Sequence, residues 1–162
     1  MIKTTYTENL GNKQLLVARN FNAPVKTVWK AWTDPKLLDE WWAPKPWKAE
    51  TTSMDFKNGG TWIYSMNGPE GEKHWARADF EKIDSFKSYE AKDSFCDENG
   101  TINHEIPGMH WLVKFIEDNS KTKVEVIVTF ESVEALQTIV QMGFKEGFSM
   151  AHENLDQILT TL

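Results

Sequence analysis

Tyr64, Asp79, Asp93 and His110 are the side chains of this chain with the chemistry to move a proton, a task that needs a titratable group desolvated beside a reacting atom. No nucleophile–base–acid triad and no paired carboxylates accompany them, so no catalytic residue is assigned. Strand parity places Asp79 beside Arg77, where an ion pair accounts for both. The histidines His74, His104, His110 and His152 show no H-x-x-x-H spacing, and there is no C-x-x-C, so no metal site is expected. His104 falls in a polar loop, where a solvated side chain is the expectation. Gly59-Gly60 joins two strands rather than a strand and a helix, which removes it as a phosphate cradle. Cys96 is the single cysteine and can form no internal disulfide; it reads as an unremarkable strand thiol. No cofactor is expected.

Binding chemistry is more visible than catalysis. Trp62 and Tyr64 alternate along one strand and share a face. Their hairpin partners are expected to include Trp75 and Arg77. An inward Arg77 beside Trp75 and Tyr64 would hold a carboxylate or polarised carbonyl; an outward Arg77 would pair with Asp79 or Glu90. Of the alternating pair His110 and Trp111, Trp111 is taken as the inward residue. Phe144 and Phe148, at helical spacing, would roof the same space or simply fill the core. The expected ligand-binding set is therefore Trp62, Tyr64, Trp75, Arg77, Trp111, Phe144 and Phe148.

The elements that must position these groups are legible from periodicity. Gln14 to Phe21 reads as a strand. Val25, Val28, Trp29 and Trp32 then follow at i, i+3, i+4, i+7 spacing, the buried face of a helix. Asp34-Pro35 stops that helix, and a second short one restarts at Pro35 and runs through Trp41, until Pro44 and Pro46. Six strands follow with turn signals between them: Lys48 to Asp55, Thr61 to Met66, Lys73 to Ile83, Ser88 to Phe95, Met109 to Glu117 and Lys121 to Phe130. Apolar positions from Val133 to Leu159 predict one long helix, bent near Gly143. This order predicts an α+β fold in which a curved seven-stranded antiparallel sheet wraps the long C-terminal helix, two short helices following strand 1. A pocket is expected between helix and sheet.

The whole chain, residues 1 to 162, is expected to be a single domain, a size that buries one core without staples. Five of its eight tryptophans lie between Asn22 and Trp47. Trp29 and Trp32 are expected in the core, Trp42 and Trp47 at a rim open to a ligand or partner. A net charge of −6 argues against nucleic acid, which demands clustered Lys and Arg. No stretch is long and apolar enough for a membrane span or a signal peptide. A cytoplasmic location and no membrane partner are the expectation.

The pattern R-x-F-x-A-P-x-x-x-V-W-x-A-W-T-D-P-x-x-L-x-x-W-W-x-P at Arg19 to Pro44 resembles the helix-grip superfamily, which includes START lipid-transfer domains, birch-pollen allergen proteins and polyketide cyclases. Within it, the turn Asp55-Phe56-Lys57-Asn58-Gly59-Gly60 and the run Met142-Gly143-Phe144-Lys145-Glu146-Gly147-Phe148 are similar to homologues of the activator of the heat-shock-protein-90 ATPase. The resemblance implies a helix-grip fold, with a stress-response association carried by the family's name. Its members bind apolar ligands, cyclise polyketides or serve as protein partners. The expectation drawn here is a non-enzymatic binding protein holding a small apolar or aromatic ligand. The alternatives are a protein-interaction module, acting on a partner or as a homodimer, and a cyclase- or hydrolase-type enzyme.

Overall fold

The computed structural model describes residues 2–162. A single antiparallel sheet of eight strands has the order β1-β2-β8-β7-β6-β5-β4-β3. Its strands are β1 (Thr5–Asn9), β2 (Gln14–Phe21), β3 (Lys48–Met54), β4 (Thr61–Asn67), β5 (Lys73–Asp84), β6 (Ser88–Cys96), β7 (Met109–Asp118) and β8 (Lys121–Phe130). The helices are α1 (Val25–Thr33) and α2 (Pro35–Trp41) after β2, then α3 (Val133–Gln141) and α4 (Phe144–Leu159) after β8. The α+β, helix-grip arrangement is therefore present, with two corrections.

The sheet has eight strands, not seven. β1 is polar, TYTEN, and only Tyr6 is even half-buried, so no alternation betrays it. Long-range bonds hold it instead: it pairs with β2, and the Tyr6 hydroxyl donates to the Lys145 carbonyl at 2.8 Å and lies 2.8 Å from the Ser149 hydroxyl, both on α4.

The long C-terminal helix is two helices. The bend expected near Gly143 is a break: Gly143 has φ +95°, a left-handed conformation that side chains disfavour, and α4 begins at the next residue. Ser132 caps α3 by accepting from the Ala135 amide at 3.0 Å.

One face of the sheet carries the core. Leu15, Val17 and Phe21 of β2, Val113 and Phe115 of β7, and Val124, Val126 and Val128 of β8 are all buried against the helices. Arg19 lies on the same face. Its guanidinium makes two hydrogen bonds of 2.6 Å to Asp156 of α4, clamping helix to sheet. Asp34 ends α1 and caps α2 by accepting from the Lys36 amide at 2.9 Å, with Pro35 in the first helical turn. α1 packs against β7 and β8, and α2 against β3. Trp29 and Trp32 are core residues, 7% and 1% exposed. No helix among the described residues is long and apolar enough to cross a membrane.

Candidate functional site

Between α3–α4 and the sheet lies a cavity of about 260 Å³. It is the consequence of small residues facing large ones. In the β4–β5 pairing Tyr64 stands opposite Ala76 and Trp62 opposite Ala78; across β6, Ala76 faces Phe95 and Ala78 faces Asp93. Ala76 leaves space that the rings of neighbouring strands border without filling, and Ala78 is buried beside it. Met109 and Trp111 of β7 form one side, Phe144, Gly147 and Phe148 the roof, and Trp42 with Pro44 one end. Phe148 lies 5.5 Å from Trp111 and 5.8 Å from Trp42, ring centre to ring centre, so the roof and walls are one aromatic cluster.

Trp42 is held there from two sides. Its indole N–H donates to the Tyr64 hydroxyl at 3.0 Å. Behind it, Asn154 of α4 donates to the Ala43 carbonyl at 3.0 Å, fixing the end of α2. Trp42 is 9% exposed, which corrects its expected place on an open rim: it is a wall of the cavity. Trp47 is half-buried and stacks on His74, at 5.5 Å and 23°.

The predicted site residues fall in three places. Tyr64, Trp111, Phe144 and Phe148 border the cavity. Trp62 points to the same face but sits behind, stacked on Tyr64 at 4.0 Å, its N–H donating to the Thr51 hydroxyl at 3.0 Å. Trp75 and Arg77 are a correction. The register pairs them with Ser65 and Ile63, on the opposite, convex face from Tyr64. Trp75 lies there under the Lys73 ammonium, 4.9 Å from its ring centre. Arg77 borders the cavity, but its guanidinium is bound elsewhere: 2.6 Å and 3.1 Å to Asp79, and 2.7 Å to the Gly100 carbonyl. The outward alternative, with Asp79 as partner, is the one observed. Asp79 is held below the usual carboxylate range by its hydrogen bonds to Arg77 and Thr61 and by the Arg77 charge, which together outweigh its desolvation.

Asp93 is the ionisable group that the binding set omitted. It stands on β6 between Ala78 and Met109, facing the cavity. Asp93 is half-buried at the cavity surface; desolvation by its surroundings, with a smaller contribution from the negative charge of Asp79, pushes its carboxyl up to about 8. The shift favours the protonated acid over the carboxylate. Tyr64 is raised by burial first and by Asp93 second, so its phenol stays protonated throughout the physiological range. The sequence signal was present, since Asp93 stands two residues from Ala91 and Phe95 on one strand face, but which face is inward depends on the register with β7.

The remaining titratable groups lie elsewhere. His152 of α4 is buried, accepts or donates through Nδ1 at 2.8 Å from the Thr4 hydroxyl, and is pushed down to about 3 by burial and by Arg19; it is a neutral core histidine. His110, on the convex face, has Nε2 3.3 Å from Glu81 and 3.1 Å from Glu90. These three offer ligand atoms within 4.8 Å of one another, a grouping from three strands that no sequence spacing announces. They could hold a divalent ion, though they already satisfy each other, and Lys82 lies 3.6 Å from Glu90. Cys96 ends β6 opposite Trp75, its thiol raised chiefly by burial.

Residues 22–160 match the family model described as Activator of Hsp90 ATPase homolog 1-like protein. The chain belongs to that family. No curated protein sequence matches it. Among solved structures, a crystal structure of a protein from Mycobacterium smegmatis is 31% identical with a TM-score of 0.91, covering 100% of this chain and 99% of that one. A solution structure of a protein from Arthrobacter aurescens is 33% identical, TM-score 0.91, covering 98% and 92%. One from Staphylococcus epidermidis is 25% identical, TM-score 0.85, covering 97% and 94%. The Activator of Hsp90 ATPase homolog 1-like family thus supplies the frame, and the cavity lining has to supply any statement about chemistry.

Proposed function

We propose that this member of the family is a binding protein for a small, largely apolar ligand with an aromatic or ring-like body, held between β4–β7 and the α3–α4 roof. The observation that carries this reading is the cavity itself: about 260 Å³, walled by Trp42, Tyr64, Trp111, Phe144 and Phe148, with Asp93 as an ionisable group on its floor. Ligand sites are typically apolar concavities of about 300–1,000 Å³ with few placed polar groups, so this one fits a small occupant. Nothing in the lining supplies a nucleophile with an adjacent base, which favours binding over covalent chemistry.

The test uses the intrinsic fluorescence of Trp42 and Trp111. Titration with ethylnaphthalene should shift emission saturably, and the ring currents of the bound probe should move the indole N–H resonances of those two residues. A probe series that binds without perturbing either resonance, or that never saturates, would refute the reading.

A further inference from the structure

Resting on the cavity reading above, we propose that the ligand is uncharged and carries a carbonyl oxygen that accepts a hydrogen bond from the Asp93 carboxyl group, with the Tyr64 hydroxyl as a second donor. Charged polar ends are disfavoured. A carboxylate has no counter-charge in the cavity, because the nearest guanidinium, Arg77, is already bound to Asp79 and the Gly100 carbonyl. An ammonium would require Asp93 to ionise and both charges to leave water, a desolvation penalty that often exceeds the attraction gained.

Donors, in contrast, are available. Tyr64 uses its oxygen to accept from Trp42, so its own proton is free to donate. Asp93 and Tyr64 face the same space from β6 and β4, with only Ala76 and Ala78 of β5 between them. The small side chains there leave both groups open to one ligand in the cavity.

The groups around Asp93 that titrate or carry charge are few. Arg77 and Asp79 lie on β5 and pair with each other; His74 borders the cavity from the same strand. Tyr64 on β4 and Tyr89 on β6 itself feel the Asp93 charge and are both raised by burial first. From β7 and the roof come Met109, Trp111, Ile139, Phe144 and Phe148, none charged. An Asp93 held as an acid well above the usual carboxylate range is consistent with a donor role.

Four probes of one ring system test this by calorimetry on the whole chain: acetylnaphthalene, ethylnaphthalene, naphthoate and naphthylmethylammonium. The ketone should bind at least tenfold more tightly than the hydrocarbon at about pH 6.5, and its own affinity should fall by up to about thirty-fold by about pH 9.5, as Asp93 loses its proton. Naphthoate should bind more weakly than the ketone at both. Asp93→Asn, which keeps a donor, should retain ketone binding and remove its pH dependence; Asp93→Leu should bind ketone and hydrocarbon alike. Preference for naphthylmethylammonium that strengthens with pH and vanishes in Asp93→Asn would overturn the inference. So would ketone and hydrocarbon binding equally well to the unaltered protein, an outcome that leaves the cavity reading intact. If no probe binds, the hydrocarbon included, the cavity reading itself fails and takes the inference with it.

Discussion

The Trp42 indole N–H donates to the Tyr64 hydroxyl at 3.0 Å, joining the end of α2 to the middle of β4. Both residues are buried, so water has little access to the bond. Tyr64→Phe leaves the Trp42 N–H without an acceptor. It should cost about 1–3 kcal/mol in urea denaturation, the desolvation penalty of an orphaned buried donor. A loss near zero would mean that Trp42 rotates to another partner.

Asp156→Ala tests the clamp between sheet and helix. It leaves the Arg19 guanidinium buried at 2% side-chain exposure with its carboxylate gone, while Asp156 itself is 38% exposed. Breaking a fully buried pair costs about 3–5 kcal/mol; solvent contact at Asp156 should bring the loss to about 2 kcal/mol. Asp156→Asn, which still accepts, should recover part of it.

The stability of the protein should fall as pH rises from about 6.5 to about 8. Asp93 has an unfolded value of 3.8 and a folded value of about 8, so between these the folded chain binds more protons than the unfolded one, and raising pH favours unfolding. His152 acts in the opposite sense. Its folded value, about 3, lies below 6.5, so its contribution is complete above pH 6.5 and is lost as pH falls through 3. The two slopes oppose each other between about pH 4 and about pH 6.5, leaving Asp93 alone above that. Urea midpoints at successive pH values should show the decline, and Asp93→Asn should flatten it; a decline that survives in Asp93→Asn would assign it to another group.

Ala76→Leu should fill the cavity floor. Side chains added to existing space regain packing lost to the void, and the melting temperature should stay level or rise by a few degrees, since overpacking is avoided where room exists. Ethylnaphthalene affinity should drop at least tenfold. Unchanged affinity would move the binding space away from β5.

Much of the frame was legible because it rests on local signals. Trp29 and Trp32 at helical spacing, Asp34-Pro35, and the alternation of Trp62 and Tyr64 each announce an element without help from distant residues. β1 was not, because TYTEN has no apolar face and is held by Tyr6 and Thr4 reaching α4. Trp75 and Arg77 show the second limit. The hairpin register between β4 and β5 was read one residue out, and in a period-two structure a slip of one moves a side chain to the other face. The same uncertainty hid Asp93, whose direction is set by its pairing with Ala78 and Met109.

The strand order also bears on how the molecule forms. β2 lies beside β8, with Leu15 opposite Val128 and Phe21 opposite Thr122, so the two hairpins β1–β2 and β7–β8, more than a hundred residues apart in the chain, must meet to close the sheet. Contacts between such distant positions place loop closure before its reward, and sheets built this way fold on the order of milliseconds to seconds. β3 to β8 form a continuous meander that can zip locally, while the α3–α4 roof follows β8 in the chain and packs on the sheet. The binding space exists only when sheet and roof are both in place: a chain without the packed roof would present the aromatic wall uncovered, as a surface prone to aggregation rather than as a site.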